Sequence, residues 1–277
     1  MADGVRADVA LAARGLARSR TEGAALVRAG AVLLDGAVVR RPSQAVPDGA
    51  RLELADAGPR YVSRAAHKLV SALEAFPVPV TGRRALDAGA STGGFTQVLL
   101  ERGAAQVAAV DVGHDQLAPR IREDPRVLVR EGLNVRELAA EDVGGPVDLV
   151  VSDLSFISLR LVLGPLAAVC RPGADLLLMV KPQFEVGRAA LPRTGVVTDP
   201  QARADAVAGV AAAALEEGLE VAGLARSGLP GQDGNVEFFL HLRARADGAG
   251  PGEAPVGDAD PAARAADLVA AADVDWS

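Results

Sequence analysis

The spacing of apolar and polar residues divides the chain into a short first module and a longer body. Residues 8–17 carry apolar positions at helical spacing, and Ser19 and Glu22 form a capping box that opens a second helix. The stretch "AVLLDGAVV" predicts a hairpin that turns at Asp35 and Gly36, and "PSQAVPDGARLEL" adds a turn and a strand. Two short helices and a few strands predict a compact α+β module.

From residue 60 onward, the pattern is that of a doubly wound α/β sheet. The stretch "RYVSRAAHKLVSALEAF" is a helix, and "RRALDAGASTGGFTQVLLERGA" is a strand, a glycine-rich turn and a helix. A second strand, "AQVAAVDVG", ends in Asp111. The nearly continuous apolar run "VDLVVSD" is typical of a parallel strand buried on both faces, and "ADLLLMV" and "NVEFFLHLR" add two more strands. This body is therefore predicted to be a Rossmann-like domain.

Charge is distributed unevenly along the chain, whose formal net charge is −7. Residues 1–64 carry ten Arg against seven acids, whereas residues 246–277 carry seven acids against one Arg. The Ala/Gly/Pro/Asp-rich composition of this acidic end predicts a mostly disordered tail, with a short helix possible over 261–272. The predicted plan is a first module, a linker, a Rossmann-like domain and an acidic tail, at 1–58, 59–64, 65–245 and 246–277.

Several features limit the classes of protein that the sequence can encode. A single cysteine, Cys170, excludes an internal disulfide framework and fits a reducing cytoplasm. Arginines interrupt the first twenty residues, which argues against a signal peptide. The longest uncharged apolar runs have ten residues, half of the ~20 that span a bilayer. The three histidines, at 67, 114 and 241, lack metal-ligand spacing. We therefore expect a cytoplasmic protein without a membrane segment or a metal.

Lysine is rare in a chain that is rich in arginine. The sequence has 27 Arg but only two Lys, Lys68 and Lys181. Chance or a surface amine would explain two lysines, but a lysine, unlike an arginine, can lose its proton and act as a base. Asp153 and Lys181 end successive predicted strands, and Glu237 stands at the start of another. Because ligands bind at the carboxyl ends of parallel strands, these side chains are candidates for one site.

The glycine-rich turn admits three classes of ligand. Residues 89–94, "GASTGG", lack the second glycine of the dinucleotide fingerprint G-x-G-x-x-G, and no lysine follows Gly94 as a P-loop requires. The pattern "D-A-G-x-x-x-G-G-F" with the downstream acid Asp111 resembles motif I of Rossmann-like S-adenosylmethionine methyltransferases. A tight strand-to-helix turn without a ligand is the alternative interpretation.

The order of features in the first module resembles the S4 RNA-binding domain. The resemblance covers residues 5–55 and includes "RGLARSRTEGAALVRAGAV", the hairpin "LLDGAVV" and the strand after it. It implies a helical face that binds structured RNA through phosphates, although a solvated helix surface would have similar charges. The expected RNA-binding residues are Arg6, Arg14, Arg18, Arg20, Arg28 and Arg64.

Seven motifs in order extend the resemblance to most of the chain. "YVSRAAHKL", "LDAGASTGGFT", "AVDVGHDQL", "DLVVSDLSFISL", "VKPQFEVGR", "GVVTDP" and "GNVEFFL" resemble the TlyA family of S4-domain ribosomal RNA 2′-O-methyltransferases, which are also called haemolysins. The family belongs with the FtsJ-type enzymes, whose Lys-Asp-Lys-Glu tetrad falls on Lys68, Asp153, Lys181 and Glu237.

The resemblance also implies a cofactor and a substrate. The cofactor is S-adenosylmethionine, and the substrate is ribosomal RNA of the small or large subunit, with cytidine as the target. The expected cofactor-binding residues are Asp87, Gly89, Ala90, Ser91, Thr92, Gly93, Gly94, Phe95, Asp111, Val112, Asn134 and Asp153. The alternatives are an RNA-binding or ribosome-assembly factor without catalysis, which would bind RNA but transfer no methyl group, and a membrane-active haemolysin, which the short apolar runs disfavour.

Overall fold

The chain folds into two compact units, Met1–Arg64 and Ala65–Ser277. The structure is a computed structural model that describes residues 4–54, 60–188, 190–246 and 260–277. Each unit has its own apolar core.

The first unit is a small α+β module, as predicted. Its helices are α1 (Ala7–Ala13) and α2 (Arg20–Arg28). Its strands are β1 (Gly4–Arg6), β2 (Val32–Leu34), β3 (Ala37–Val38), β4 (Ala45–Pro47) and β5 (Leu52–Leu54). They form an antiparallel β1–β4 pair and a three-stranded sheet of order β3-β2-β5.

Local sequence signals explain the boundaries of these elements. The Ser19 hydroxyl accepts a hydrogen bond from the Glu22 amide at 3.2 Å, which confirms the predicted cap of α2. Asp35 and Gly36 both have positive φ, as the tight turn between β2 and β3 requires. The predicted helix over 8–17 is shorter than expected, because Gly15 follows α1 with a left-handed φ of 71°.

The second unit is a seven-stranded sheet with helices on both faces. Its strands are β6 (Arg84–Ala88), β7 (Gln106–Asp111), β8 (Val127–Glu131), β9 (Val147–Ser152), β10 (Cys170–Val180), β11 (Glu220–Arg226) and β12 (Phe238–Arg243). Its helices are α3 (Ala66–Ala75), α4 (Gly94–Glu101), α5 (Pro119–Arg122), α6 (Leu163–Ala168), α7 (Pro182–Glu185), α8 (Pro200–Glu216) and α9 (Pro261–Ala271). Within the described ranges, no helix is long and apolar enough to cross a membrane.

The strand order explains how distant residues reach one edge of the sheet. The order is β11-β12-β10-β9-β6-β7-β8, and β6 to β10 run parallel. Strand β12 lies antiparallel between β10 and β11, with Phe238 opposite Val180. The start of β12 therefore lies at the edge where the parallel strands end, which brings Glu237 beside Lys181.

The acidic tail is more ordered than the sequence predicts. Helix α9 packs on α8, and Ala265 and Val269 are buried in the main core. The Trp276 ring packs on Phe238 at a centroid distance of 4.8 Å. The prediction of a short helix is confirmed, whereas the prediction of disorder is wrong for residues 260–277, because regularly spaced apolar side chains give that segment a buried face. Residues 247–259 lie outside the described residues.

Candidate active site

Four charged side chains form a continuous chain of ion pairs at the carboxyl edge of the sheet. Glu237 Oε2 lies 2.6 Å from Lys68 Nζ, which lies 3.5 Å from Asp153 Oδ2. Asp153 Oδ1 lies 2.7 Å from Lys181 Nζ. The structure thus brings together all four residues of the predicted tetrad, in the alternating order Glu237, Lys68, Asp153 and Lys181.

Burial makes these ion pairs more than a surface pattern. The residues Lys68, Lys181 and Glu237 are buried, and Asp153 is the most accessible of the four. Lys181 Nζ donates to Ser155 Oγ at 2.9 Å, whereas its approach to Asp153 Oδ1 lacks the angle of a hydrogen bond. Since buried charges are costly unless they are paired, the alternation of signs accounts for both lysines being tolerated here.

Glu185 connects the two loops that carry Asp153 and Lys181, and the sequence analysis did not identify it. Its carboxylate accepts hydrogen bonds from Ser158 Oγ at 2.6 Å and from the Leu159 amide at 2.8 Å. Burial raises the pKa of Glu185 above its usual value. The signal was available in "VKPQFEVGR", where an acid follows Lys181 by four residues.

Phe156 is the most conspicuous exposed apolar side chain beside the tetrad. It is 92% exposed and has a φ of 64°, which is unusual for a bulky residue. Its ring lies 5.4 Å from that of Phe184, over which Lys181 Nζ stands at 6.0 Å. Exposure and backbone strain at a candidate site point to a ligand-contacting role. The motif "DLSFISL" contained this residue, but sequence alone did not show its exposure.

The glycine-rich turn, residues 89–94, lies close to the residues that follow β9. A side chain at Gly89 would place its Cβ 3.1 Å from Leu154 and 3.3 Å from the Asp153 carbonyl, so the backbone passes close to the end of β9. The Asp111 carboxylate accepts from the Ser91 amide at 2.8 Å and from the Gly113 amide at 2.7 Å. A carboxylate at the end of β7 thus binds the backbone of the glycine-rich turn.

The remaining predicted cofactor-binding residues differ in where the structure places them. Val112, the residue after Asp111, is 69% exposed, and Asn134 caps a short 3₁₀ helix by accepting from the Arg136 amide. The Phe95 side chain is 3% exposed and stacks on Phe239, so the structure places it in the core. The other predicted residues of the turn lie between β6 and the first turn of α4, at Ala90, Thr92, Gly93 and Gly94.

Asp87 is fully buried at the end of β6. Its Oδ2 accepts a hydrogen bond from Thr96 Oγ1 at 2.7 Å, and its Oδ1 has no hydrogen-bond partner among the described residues. Burial, together with the nearby Asp153 and Asp111, raises the pKa of Asp87 to about 7.

This shift predicts a pH-dependent stability. A carboxyl whose pKa is raised on folding stabilises the native state below its unfolded pKa, and this contribution is lost as the pH rises through about 7. Asp87→Asn should therefore become more stable relative to the wild type by roughly 2 kcal/mol between pH 5 and pH 8. Urea unfolding at both pH values measures this. Asp124→Asn is the control. Because Arg126 lowers the pKa of Asp124, the stability difference between this variant and the wild type should be the same at pH 5 and pH 8.

Three of the predicted RNA-binding arginines line one concavity in the first unit. The concavity has a volume of about 420 Å³ and is lined by Arg6, Arg20, Arg28 and neighbouring residues. The buried Asp8 accepts hydrogen bonds from Arg6 at 2.9 and 3.0 Å and from Arg20 at 3.1 Å. These hydrogen bonds hold the pKa of Asp8 well below its usual value. Asp8 therefore orients two guanidinium groups toward solvent.

The other predicted arginines are placed differently. Arg14 donates to the Ala50 carbonyl at 2.7 Å, and Arg18 pairs with Glu22 at 3.5 Å. Arg64 is the last residue of the first unit. The concavity thus includes three of the six arginines that were predicted to bind RNA.

Among the described residues, no group of three or more His, Cys, Asp or Glu could hold a metal ion.

Comparison with protein-family models matches both units. The S4 domain model matches residues 5–52, and the model described as FtsJ-like methyltransferase matches residues 61–244. The second match covers most of the chain and includes all four residues of the tetrad.

Individual relatives match nearly the whole chain. The protein named 16S/23S rRNA (cytidine-2'-O)-methyltransferase TlyA from Mycobacterium tuberculosis is 54% identical over 248 residues, which are 89% of this chain and 92% of that protein. Hemolysin A of Brachyspira hyodysenteriae is 31% identical over 86% of this chain and 99% of its own. A solved structure of a candidate hemolysin from Streptococcus thermophilus has 36% identity and a TM-score of 0.70, with 98% of this chain and 96% of that chain covered.

Proposed function

Because this chain belongs to the TlyA family of FtsJ-like methyltransferases, we propose that it transfers a methyl group from S-adenosylmethionine to the ribose 2′-hydroxyl of a cytidine in ribosomal RNA. The observation that carries this proposal is the buried chain of ion pairs from Glu237 to Lys181 at the carboxyl edge of the sheet. It supports the proposal because a lysine amine then lies at the edge of the sheet where ligands bind in folds of this kind.

The residues at the end of β7 fit S-adenosylmethionine. The Asp111 oxygens have lone pairs beyond the two amide bonds, so they can accept from ribose hydroxyls. The exposed Val112 side chain offers an apolar surface to an adenine ring. Gly89 lets the glycine-rich turn pack closely on Asp153 and Leu154. The turn needs no phosphate cradle, because the cofactor has no pyrophosphate. When bound, the cofactor supplies a methyl group on a positively charged sulfur.

Lys181 is placed to accept the proton of the target hydroxyl. A ribose 2′-hydroxyl is a poor nucleophile until it loses that proton. Among the described residues, Asp153 is the one carboxylate that pairs with Lys181, and Ser155 is its hydroxyl acceptor. Lys181 also lies over the ring of Phe184, which contacts the exposed Phe156. Lys181 first gives up a proton to solvent. Its nitrogen then takes the hydroxyl proton as the ribose oxygen bonds to the methyl carbon and the bond from that carbon to sulfur breaks. General-base help of this kind contributes ~10²–10⁴ in rate.

The other three residues orient this base. Lys68 lies between Glu237 and Asp153, so it acts as a fixed cation that holds both carboxylates. Asp153 in turn fixes the position of the Lys181 amine. Positioning contributes several kcal/mol to catalysis beyond the proton transfer itself.

Phe156 is suited to stack on the target base. An aromatic ring exposed near the Lys181 amine can cover the face of a nucleobase, and such stacking is possible with any of the four nucleobases. Its strained backbone holds the ring outward rather than into the core. We infer that the target nucleotide enters with its base on Phe156 and its ribose toward Lys181.

Removal of this ring should slow methylation moderately. Phe156→Ala should reduce kcat/KM on ribosomal subunits about tenfold, since stacking is worth ~1–3 kcal/mol per base. Phe156→Tyr keeps the ring and should remain within threefold of the wild type. Steady-state methylation rates measure both variants, and an unchanged rate for Phe156→Ala would remove the stacking role.

Asp111 provides a test of the cofactor site. Asp111→Ala should raise the dissociation constant of S-adenosylmethionine by one to two orders of magnitude, on the order of 1.4–3 kcal/mol, while RNA affinity hardly changes. Isothermal calorimetry measures the cofactor affinity, and Glu123→Ala, at the exposed residue that follows α5, is a control. Wild-type cofactor binding by Asp111→Ala would contradict this placement.

The proposed function is tested by direct methyl transfer. The protein is incubated with tritiated S-adenosylmethionine and separated small and large ribosomal subunits, and the labelled nucleotide is then mapped. We expect label on the 2′-oxygen of cytidine in one or both subunits, a substrate that is consistent with a cytoplasmic protein. RNA binding without label would instead indicate an assembly factor that does not catalyse methylation.

A further inference from the structure

The loop between β11 and β12 encloses the carboxylate of Glu237. The Ser227 amide donates to the Glu237 carbonyl at 2.8 Å, which closes the loop at its base. A Cβ at Gly231 would lie 2.7 Å from Glu237 Oε1, so this loop touches the carboxylate directly. The position of Glu237 therefore depends on the position of residues 227–236.

Asn235 fixes this loop to a second segment of the chain. Its side chain is buried, with Oδ1 accepting from the Val197 amide and Nδ2 donating to the Gly195 carbonyl, both at 2.9 Å. Both the oxygen and the nitrogen of the Asn235 side-chain amide thus bind the backbone of residues 195–197. A shift of that segment would be transmitted to Glu237, two residues after Asn235.

Arg203 holds the same segment to the end of the chain. Its guanidinium is buried, and it donates from Nε to the Val197 carbonyl at 2.9 Å and from NH1 to the Trp276 carbonyl at 2.6 Å. Burial lowers the pKa of Arg203. No carboxylate in the described parts of the chain pairs with this guanidinium within 4 Å, so its bonds to the two carbonyls satisfy a buried charge.

Residues 260–277, the C-terminal segment, are themselves anchored. Ala265 and Val269 of α9 are buried against the core, and the Trp276 ring packs on Phe238. Asp275 pairs with Arg226 of β11. The acceptor that Arg203 uses is therefore held in place by apolar contacts and by an ion pair.

We infer that the C-terminal segment, Arg203 and Asn235 form a positioning network that sets Glu237 against Lys68 for the methyl transfer. This inference rests on the proposed function, because it assigns the network a role in that reaction. The Lys68–Glu237 pair is short, at 2.6 Å, and Lys68 also orients Asp153. A displacement of Glu237 by a fraction of an ångström would thus reach Lys181 through three ion pairs, Glu237–Lys68, Lys68–Asp153 and Asp153–Lys181.

The test removes residues 272–277, which deletes the carbonyl acceptor and the Trp276 anchor but keeps α9. Single-turnover methylation at saturating cofactor should slow at least tenfold, while KM for ribosomal subunits and the cofactor dissociation constant stay within threefold. Asp267→Ala, on the exposed face of α9, is the control and should keep the wild-type rate. Arg203→Lys is a second variant. It keeps the positive charge but lacks the planar guanidinium group that binds two carbonyls, and it should show the same selective loss in rate.

A double-mutant cycle separates positioning from general stability. In a Glu237→Gln background, the same truncation should change the residual rate less than twofold, because the network acts through Glu237. An equal slowing in both backgrounds would overturn the inference, as would a wild-type rate in both the truncated chain and Arg203→Lys.

Hydrogen exchange gives a readout that does not need activity. The amides of residues 228–238 should exchange at least tenfold faster in the truncated chain, while those of β6 and β9 keep their rates. If the wild type transfers no methyl group, the proposed function fails but this measurement still tests the network. Unchanged exchange at residues 228–238 would overturn it.

Discussion

Lys181→Arg should reduce the rate of single-turnover methylation at least ~100-fold, within the range for loss of a general base. Arginine keeps its proton in proteins, and its planar fork is larger than an ammonium group. The Lys181 amine lies 2.7 Å from Asp153 Oδ1 and 2.9 Å from Ser155 Oγ, a space that fits one nitrogen atom. Cofactor and RNA affinity should stay within a few-fold, since neither depends on proton transfer.

Two further measurements make this result specific. Lys68→Arg should also be impaired, because Lys68 lies buried between Glu237 and Asp153. Arg51→Lys, at an exposed ion pair of the first unit, is the matched control for a change between the two cations and should be neutral. A near-wild-type rate for Lys181→Arg would contradict the role of Lys181 as a base. Chance would then be a sufficient explanation for the small number of lysines.

Deletion of residues 1–58 should weaken binding of ribosomal subunits at least ~100-fold and leave the cofactor dissociation constant within threefold. The deleted part contains the concavity lined by Arg6, Arg20 and Arg28, and each lost phosphate contact removes a counterion-release contribution. The second unit has its own core and sheet, so we expect it to keep the proposed cofactor site. Filter binding across a salt series measures the affinity, and its dependence on salt should become shallower in the deletion variant.

A point variant in the full-length chain guards against indirect effects of the deletion. Arg28→Glu places an acid in the concavity and should weaken binding in the same direction, whereas Arg51→Ala, at an exposed arginine paired with Glu53, should not. Full RNA affinity in the deletion variant would contradict an RNA-binding role for the first unit.

The regular parts of the fold were predictable because their signals are local. The Ser19 cap, the Asp35–Gly36 turn and the continuous apolar run of β9 each depend on a few neighbouring residues. The antiparallel insertion of β12 between β10 and β11 was not predictable in this way, since it depends on pairings between residues far apart in sequence. The prediction of disorder for residues 260–277 was wrong for a related reason. It was based on composition, which does not show the apolar face of α9.

The candidate site shows the same division. Rare lysines and strand-end acids identified Lys68, Asp153, Lys181 and Glu237 from the sequence together with the family resemblance. The roles of Glu185 and Phe156 depend on burial and exposure, and the same residue types would be ordinary elsewhere. Phe95 shows the converse, because its place in a motif suggested a ligand contact whereas its ring packs on Phe239.

The insertion of β12 also sets the order in which the enzyme can mature. Lys68 and Glu237 are 169 residues apart, and β11 at the edge of the sheet has β12 as its neighbour. Contacts of such long sequence separation form late in folding, and synthesis delivers the N-terminal part first. A nascent chain therefore carries Lys68, Asp153 and Lys181 without their fourth member until β12 has emerged. Under the proposed function, we therefore expect no methyl transfer by a chain whose synthesis has not reached β12.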